Sequence, residues 1–185
     1  YWEPCEDDNM GIVRGFDGEL TLNDAFNALK ENKTRVTLGG SFVSKYEKMR
    51  TKTLVSDTTK YEYQLPENVA SAAGRLNISR GGFNFYTEYV HKFNNPSAFN
   101  NYIYKNGQAF LASLSYSQKC LGVYVAAKRI DNMSYKSKMT ELNNVLDINF
   151  IPPLTKQFVY SLENVYPYAT QLNGEAAIQG QVVYT

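Results

Sequence analysis

Histidine and cysteine are almost missing from these 185 residues: one histidine, His91, and two cysteines, Cys5 and Cys120. One histidine leaves most imidazole-based catalytic arrangements without a second member, and two distant cysteines build neither a disulfide framework nor a zinc-ligand spacing. Charge of one sign is also lacking, since 19 Lys and Arg face 18 Asp and Glu for a net charge of +1. That balance argues against a strongly basic nucleic-acid binder and against an acidic disordered tail. No run of 18 apolar residues occurs, so no transmembrane helix is expected. The same absence says nothing against a membrane β-barrel, whose apolar residues alternate with polar ones. The chain opens on Tyr1 without a signal-like segment, from which we expect a processed or partial piece of something longer.

Aromatic residues are plentiful, with 15 Tyr and 10 Phe, yet the mean hydropathy is −0.42. These rings fall into an alternating pattern that runs from about residue 11 to the end. Nine segments, near 12–22, 36–46, 70–78, 83–93, 110–116, 121–127, 142–150, 158–166 and 176–184, place apolar residues at every second position. Period two over such lengths predicts antiparallel sheet. Short connections fall near 80–81, 118–120 and 152–155, and longer ones near 47–68, 94–107, 130–141 and 167–173. The expected fold is therefore all-β, an up-and-down meander of about nine long strands. One short amphipathic helix is expected near 24–32, where Phe26 and Leu29 stand at helical spacing after a cap at Asn23 or Asp24.

Alternation alone does not say whether the apolar face meets a protein core or lipid. Most segments are longer than the usual strand of about five or six residues, and loop lengths are segregated by end, as in bacterial outer-membrane barrels. Aromatic residues also gather at the apolar rims. Phe83, Tyr116, Phe150 and Phe158 are expected at the short-turn end, with Tyr46, Phe93, Phe110 and Tyr166 at the long-loop end. Two such rows suit the girdles that amphipathic rings form at headgroup level. On the opposite face, Arg75, Asn77, Glu88, Lys128, Asp147 and Glu163 are the candidate lumen-facing polar residues. An odd strand count leaves two open edges, so the chain is expected to be one portion of a larger barrel.

Several stretches carry a family resemblance: Gly39-Gly40-Ser41-Phe42-Val43-Ser44-Lys45, Leu65-Pro66-Glu67-Asn68-Val69, Tyr102-Ile103-Tyr104-Lys105-Asn106-Gly107, Tyr116-Ser117-Gln118-Lys119 and Ala127-Lys128-Arg129-Ile130-Asp131-Asn132-Met133-Ser134. Together they resemble an uncharacterised family of outer-membrane β-barrel proteins from the Bacteroidota. The likeness covers nearly the whole chain but a central portion of the longer family members. It implies location and architecture and supplies no activity. The family pattern favours glycine where Cys120 stands, which implies a locally different turn.

Candidate chemistry is sparse. Glu88, Asp147 and Glu163 have no spacing that links them to a nucleophile, so they read as lumen electrostatics rather than acid–base catalysts. His91 reads as an interfacial residue, and Glu6-Asp7-Asp8-Asn9 lacks the spacing of a calcium loop. Acceptor triplets for glycosylation at Asn32, Asn77 and Asn132 are short enough to arise by chance. Gly81-Gly82 reads as a hairpin turn rather than a phosphate cradle, since no helix follows. Cys5 and Cys120 fall at opposite ends of the meander and are expected not to bond. No enzyme, cofactor or metal site is expected. The leading expectation is an outer-membrane barrel with a polar lumen and a structural or transport role. Its partners would be the lipid bilayer, the remaining strands of the barrel and other outer-membrane or surface lipoprotein subunits, with no nucleic acid. The alternatives are a non-conducting scaffold that docks surface lipoproteins or secretion machinery, and a soluble carbohydrate-binding module using its tyrosines as stacking platforms.

Overall fold

A computed structural model describes residues 11–24, 33–48, 51–56, 59–143, 145–149, 151, 154 and 170–184. Nine strands lie among them: β1 (Ile12–Thr21), β2 (Thr34–Tyr46), β3 (Thr51–Ser56), β4 (Thr59–Gln64), β5 (Asn68–Arg80), β6 (Phe83–Lys92), β7 (Gly107–Gln118), β8 (Leu121–Asp131) and β9 (Gly174–Tyr184). Seven form one open antiparallel sheet in the order β1-β2-β5-β6-β7-β8-β9, and β3 and β4 pair separately as a hairpin. The hairpin falls inside the stretch 47–68 that the alternation assigned to a loop. Only two three-residue 3-10 turns, Leu22–Asp24 and Ala98–Asn100, interrupt the β character of the described residues.

The long segments become long strands because both hairpin turns are tight. Gly81 takes φ +56 between β5 and β6, a conformation that costs glycine nothing. Cys120 takes φ +67 between β7 and β8, where a β-carbon is crowded. Of the helix expected near 24–32, residues 25–32 lie outside the described residues, and Leu22–Asp24 form a 3-10 turn. The Asn23 amide donates to the Thr34 carbonyl, and its Oδ1 accepts the Val36 amide proton at 2.9 Å. It thereby anchors the start of β2.

One expected strand changes standing, and another lies outside the described residues. The segment 142–150 does not join the sheet. Its described part is irregular, with a single bridge between Lys136 and Asp147. The edge it would have needed, that of β8, is occupied by β9 over the full length from Leu121–Tyr184 to Asp131–Gly174. Alternation reports that successive side chains meet different surroundings, not which edge a strand joins. The segment 158–166, with Glu163, Phe158 and Tyr166, lies outside the described residues, as do Phe150 and Cys5.

Register fixes which residues share a face. Phe16 pairs with Phe42, Phe42 with Ala72, Ala72 with His91 and His91 with Gln108, so these five project together. The same face carries Leu20, Leu38, Phe85, Leu114, Val125 and Ile178, and it is open: Phe16 is 70% exposed, Leu114 44% and Ile178 79%. The sheet's small core lies on the other face, where Leu65, Val69, Tyr135 and Met139 pack together with Val43, Tyr102 and Ile148. Ile148, expected on the apolar face with Phe85 and Leu114, belongs instead to this cluster.

Candidate functional site

The polar face is the part of the sheet on which charged side chains converge. One row across the strands reads Glu19, Gly39, Arg75, Glu88, Leu111, Lys128, Ala177. Arg75 on β5 reaches past β2 to β1, where its Nη2 lies 2.6 Å from Asp17 Oδ1 and 3.4 Å from Glu19 Oε1. Gly39 makes that reach possible. A β-carbon there would stand 2.8 Å from Arg75 Nε, closer than a carbon and a nitrogen can pack. On the other side of Arg75, Glu88 Oε2 accepts a 2.7 Å hydrogen bond from the Tyr86 hydroxyl. Charges of opposite sign thus pair across β1 and β5, with the Asp17 and Glu19 side chains more than half exposed.

The half of this face nearest the long loops is covered. Residues 132–143 leave the end of β8 and cross the sheet to β2, and residues 145–149 lie back alongside them. Ile148 donates its amide proton to the Tyr135 carbonyl, and Ser137 donates to Leu146, both at 2.9 Å. From β8 to β2 is four strand spacings, roughly 19 Å of sheet at about 4.8 Å each. The segment is tied to the wall by side chains. Lys45 Nζ donates to the Lys136 carbonyl at 2.9 Å, and Lys92 Nζ to the Ser134 carbonyl at 2.6 Å. The Tyr135 hydroxyl donates to the Val69 carbonyl at 2.7 Å, and burial pushes this phenol up to about 12. Glu47 joins the same cluster, with Oε2 3.4 Å from Lys45 Nζ and accepting the Met139 amide proton at 3.1 Å. On β8, Lys128 Nζ lies 2.7 Å from Glu175 Oε1 and 2.8 Å from Thr170 Oγ1.

The loop after β6 completes the cover. Asn95 donates to the Ser134 carbonyl at 3.3 Å, Ala98 donates its amide proton to Met139 at 2.8 Å, and Asn100 Nδ2 reaches Asn132 Oδ1 at 2.9 Å. Beneath the segment a cavity of about 190 Å³ remains, between Ser41, Ser71, Ala73 and Glu88 on the sheet and Met133, Tyr135 and Asn149 above. A smaller space of about 100 Å³, lined by Leu111, Lys128 and Ile130, shares Glu88, Val90 and Ala109 with it.

Four of the six expected polar-face residues stand on that face: Arg75, Asn77, Glu88 and Lys128. Asp147 does not; it sits on the covering segment, over half exposed, with its Oδ1 2.7 Å from Lys136 Nζ. Of the aromatic residues, Phe83 and Tyr116 stack at the short-turn end with centroids 4.3 Å apart. At the other end, Tyr46 and Phe110 share the apolar face, and Phe93 meets His91 edge-on at 5.2 Å. Lys45, Lys92 and Tyr135 were not singled out from the sequence. The polar parity of the two lysines was readable there, but their burial depends on how the long loop after β8 folds back over the sheet.

Among the described residues no group of three His, Cys, Asp or Glu side chains is arranged to hold a metal ion, and no helix is long and apolar enough to cross a membrane. Cys120 is free and exposed. Comparison with curated proteins and with solved structures yields no match. A family model does match, over residues 5–185, and with nearly the whole chain covered the protein belongs to a family of unknown function, DUF6029.

Proposed function

We propose that this chain supplies part of the wall of a β-barrel in a bacterial outer membrane, with a polar lumen and a structural or transport role. The observation that carries the reading is the inverted distribution of polarity. Large apolar side chains along one whole face are open, while Lys45, Lys92 and Lys128 on the opposite face are buried. Water would favour the reverse arrangement, since an exposed apolar patch of this extent marks a surface made for another apolar phase. Hydrocarbon tails are that phase in this reading. The two aromatic groups support it: Phe83 and Phe93 are ten positions apart, roughly 33 Å of strand or about 23 Å of depth at a 45° tilt. An apolar band of about 25 Å is the usual height for such barrels. Arg75, Asn77, Glu88 and Lys128 then set the field inside the wall. Bilayer lipid and the remaining strands of the barrel would cover the apolar face and the β1 and β9 edges.

The covered half of the polar face favours a second reading, a non-conducting barrel that docks outer-membrane or surface lipoprotein subunits. Extraction of the full-length protein tests the membrane location. Recovery only with detergent, with a gel mobility that shifts on heating, is expected; a monomer recovered in plain buffer would overturn it. Conductance of the full-length protein in planar bilayers separates pore from scaffold.

A further inference from the structure

Resting on that wall reading, we infer that residues 132–143 and 145–149 form an internal strap that closes the long-loop mouth of the lumen, held shut by Lys45 and Lys92. Withdrawing a lysine from water is costly unless its protons are satisfied, and a wall that only faced an aqueous lumen would leave these side chains hydrated. Here both are fully buried, and each donates to a main-chain carbonyl of the strap: Lys45 to Lys136 and Lys92 to Ser134. Among the described residues no carboxylate lies within ion-pair distance of Lys92, so its hydrogen bond to Ser134 is the principal polar contact recorded for its ammonium group. A carbonyl is bound by position rather than by side-chain identity, so the two lysines hold the path of the strap.

The sites lie on β2 and β6, with β5 between them, so the strap is gripped at two points across the sheet. Tyr135, between the two gripped carbonyls, fastens it to Val69 on the intervening strand. Below the strap, Met133, Tyr135, Ile148 and Asn149 line the cavity near Glu88. Release of the lysines would remove two of the grips that hold the strap over that cavity, leaving the Tyr135 bond to Val69 and the Met139 bond to Glu47.

The test uses the full-length protein reconstituted in planar bilayers and, in parallel, held in detergent micelles. Wild type is expected to insert and to conduct little, and trypsin is expected to spare Lys136 and Lys138. The double variant Lys45→Ala, Lys92→Ala is expected to conduct at least several-fold more and to be cut at those two lysines. Replacing residues 134–147 by a Gly-Ser linker of equal length should raise conductance similarly, and it does not depend on how the alanine variants pack. Variants that insert but conduct like wild type, with trypsin still excluded, would overturn the strap. Failure of wild type to enter micelles or bilayers would overturn the wall reading itself, and with it the role of the strap.

Discussion

The two faces of the sheet differ in what they leave open. On one, Phe16, Phe85, Leu114 and Ile178 stand exposed; on the other, Lys45, Lys92 and Lys128 are withdrawn. Both faces have the same backbone, the same hydrogen-bonded ladders and the same strand length, so the difference lies in side chains and in what covers them. The apolar face has no covering layer among the described residues. The polar face has one, built from the chain's own residues 132–143 and 145–149 and the loop after β6. A segment rich in polar main-chain groups is a poor cover for an apolar surface, because its amides would go unsatisfied there. It is a good cover for lysines, which donate to its carbonyls. The comparison teaches that polarity sorts the cover: the chain folds back on the face that can satisfy its peptide groups.

The largest effect expected from breaking this contrast is at the centre of the apolar face. Leu114→Arg should destabilise the protein folded in lipid vesicles by about 2–4 kcal/mol, read from denaturant unfolding, because a charge then faces hydrocarbon. Ser115→Arg, one residue along and on the polar face, should stay within about 1 kcal/mol of wild type. Equal effects from the two would mean that the faces meet the same medium.

A smaller effect is expected where the polar face depends on an absent side chain. Gly39→Ala puts a β-carbon into the Arg75 guanidinium and should cost about 0.5–1 kcal/mol by displacing it from the exposed Asp17 and Glu19. The loss should shrink when combined with Arg75→Ala, in a double-mutant cycle monitored by thermal unfolding. Additivity would show that Gly39 serves something other than that reach.

Tyr135 sharpens the account of the cover. Its phenol is held neutral up to about 12, against 10 when unfolded, so the folded protein binds the extra proton between those values. The stability it contributes is complete below pH 10 and lost as pH rises toward 12. Protease access to residues 132–149 should increase across that window. Tyr135→Phe should remove this dependence, at a cost of about 1 kcal/mol for the bond to Val69.

The smallest effect is at the turn. Cys120→Gly relieves a β-carbon at φ +67 and should stabilise the β7–β8 hairpin by about 1 kcal/mol, measured as a rise in unfolding temperature.

Much of the sheet was legible in the sequence. Seven of the nine alternating segments correspond to strands of the meander, because period two is a local property that each strand states for itself. Their faces were legible too, including the parity of Arg75, Glu88 and Lys128. The hairpin of β3 and β4 was not foreseen within its polar stretch, since two six-residue strands without an apolar face carry little signal. The part of the covering segment from residue 142 was misread for a different reason. Leu142, Leu146 and Ile148 alternate as a strand would, yet Leu142 and Leu146 are exposed and only Ile148 reaches the Val69 cluster.

Local alternation by itself determined an antiparallel sheet with one apolar and one polar face, since that follows from the geometry of each extended residue. Which strands became neighbours, that Arg75 passes over Gly39, and that Lys45 and Lys92 close on carbonyls 91 and 42 residues away were decided only by the tertiary structure. Those contacts join residues far apart in the chain, and no local pattern encodes the partner at the other end.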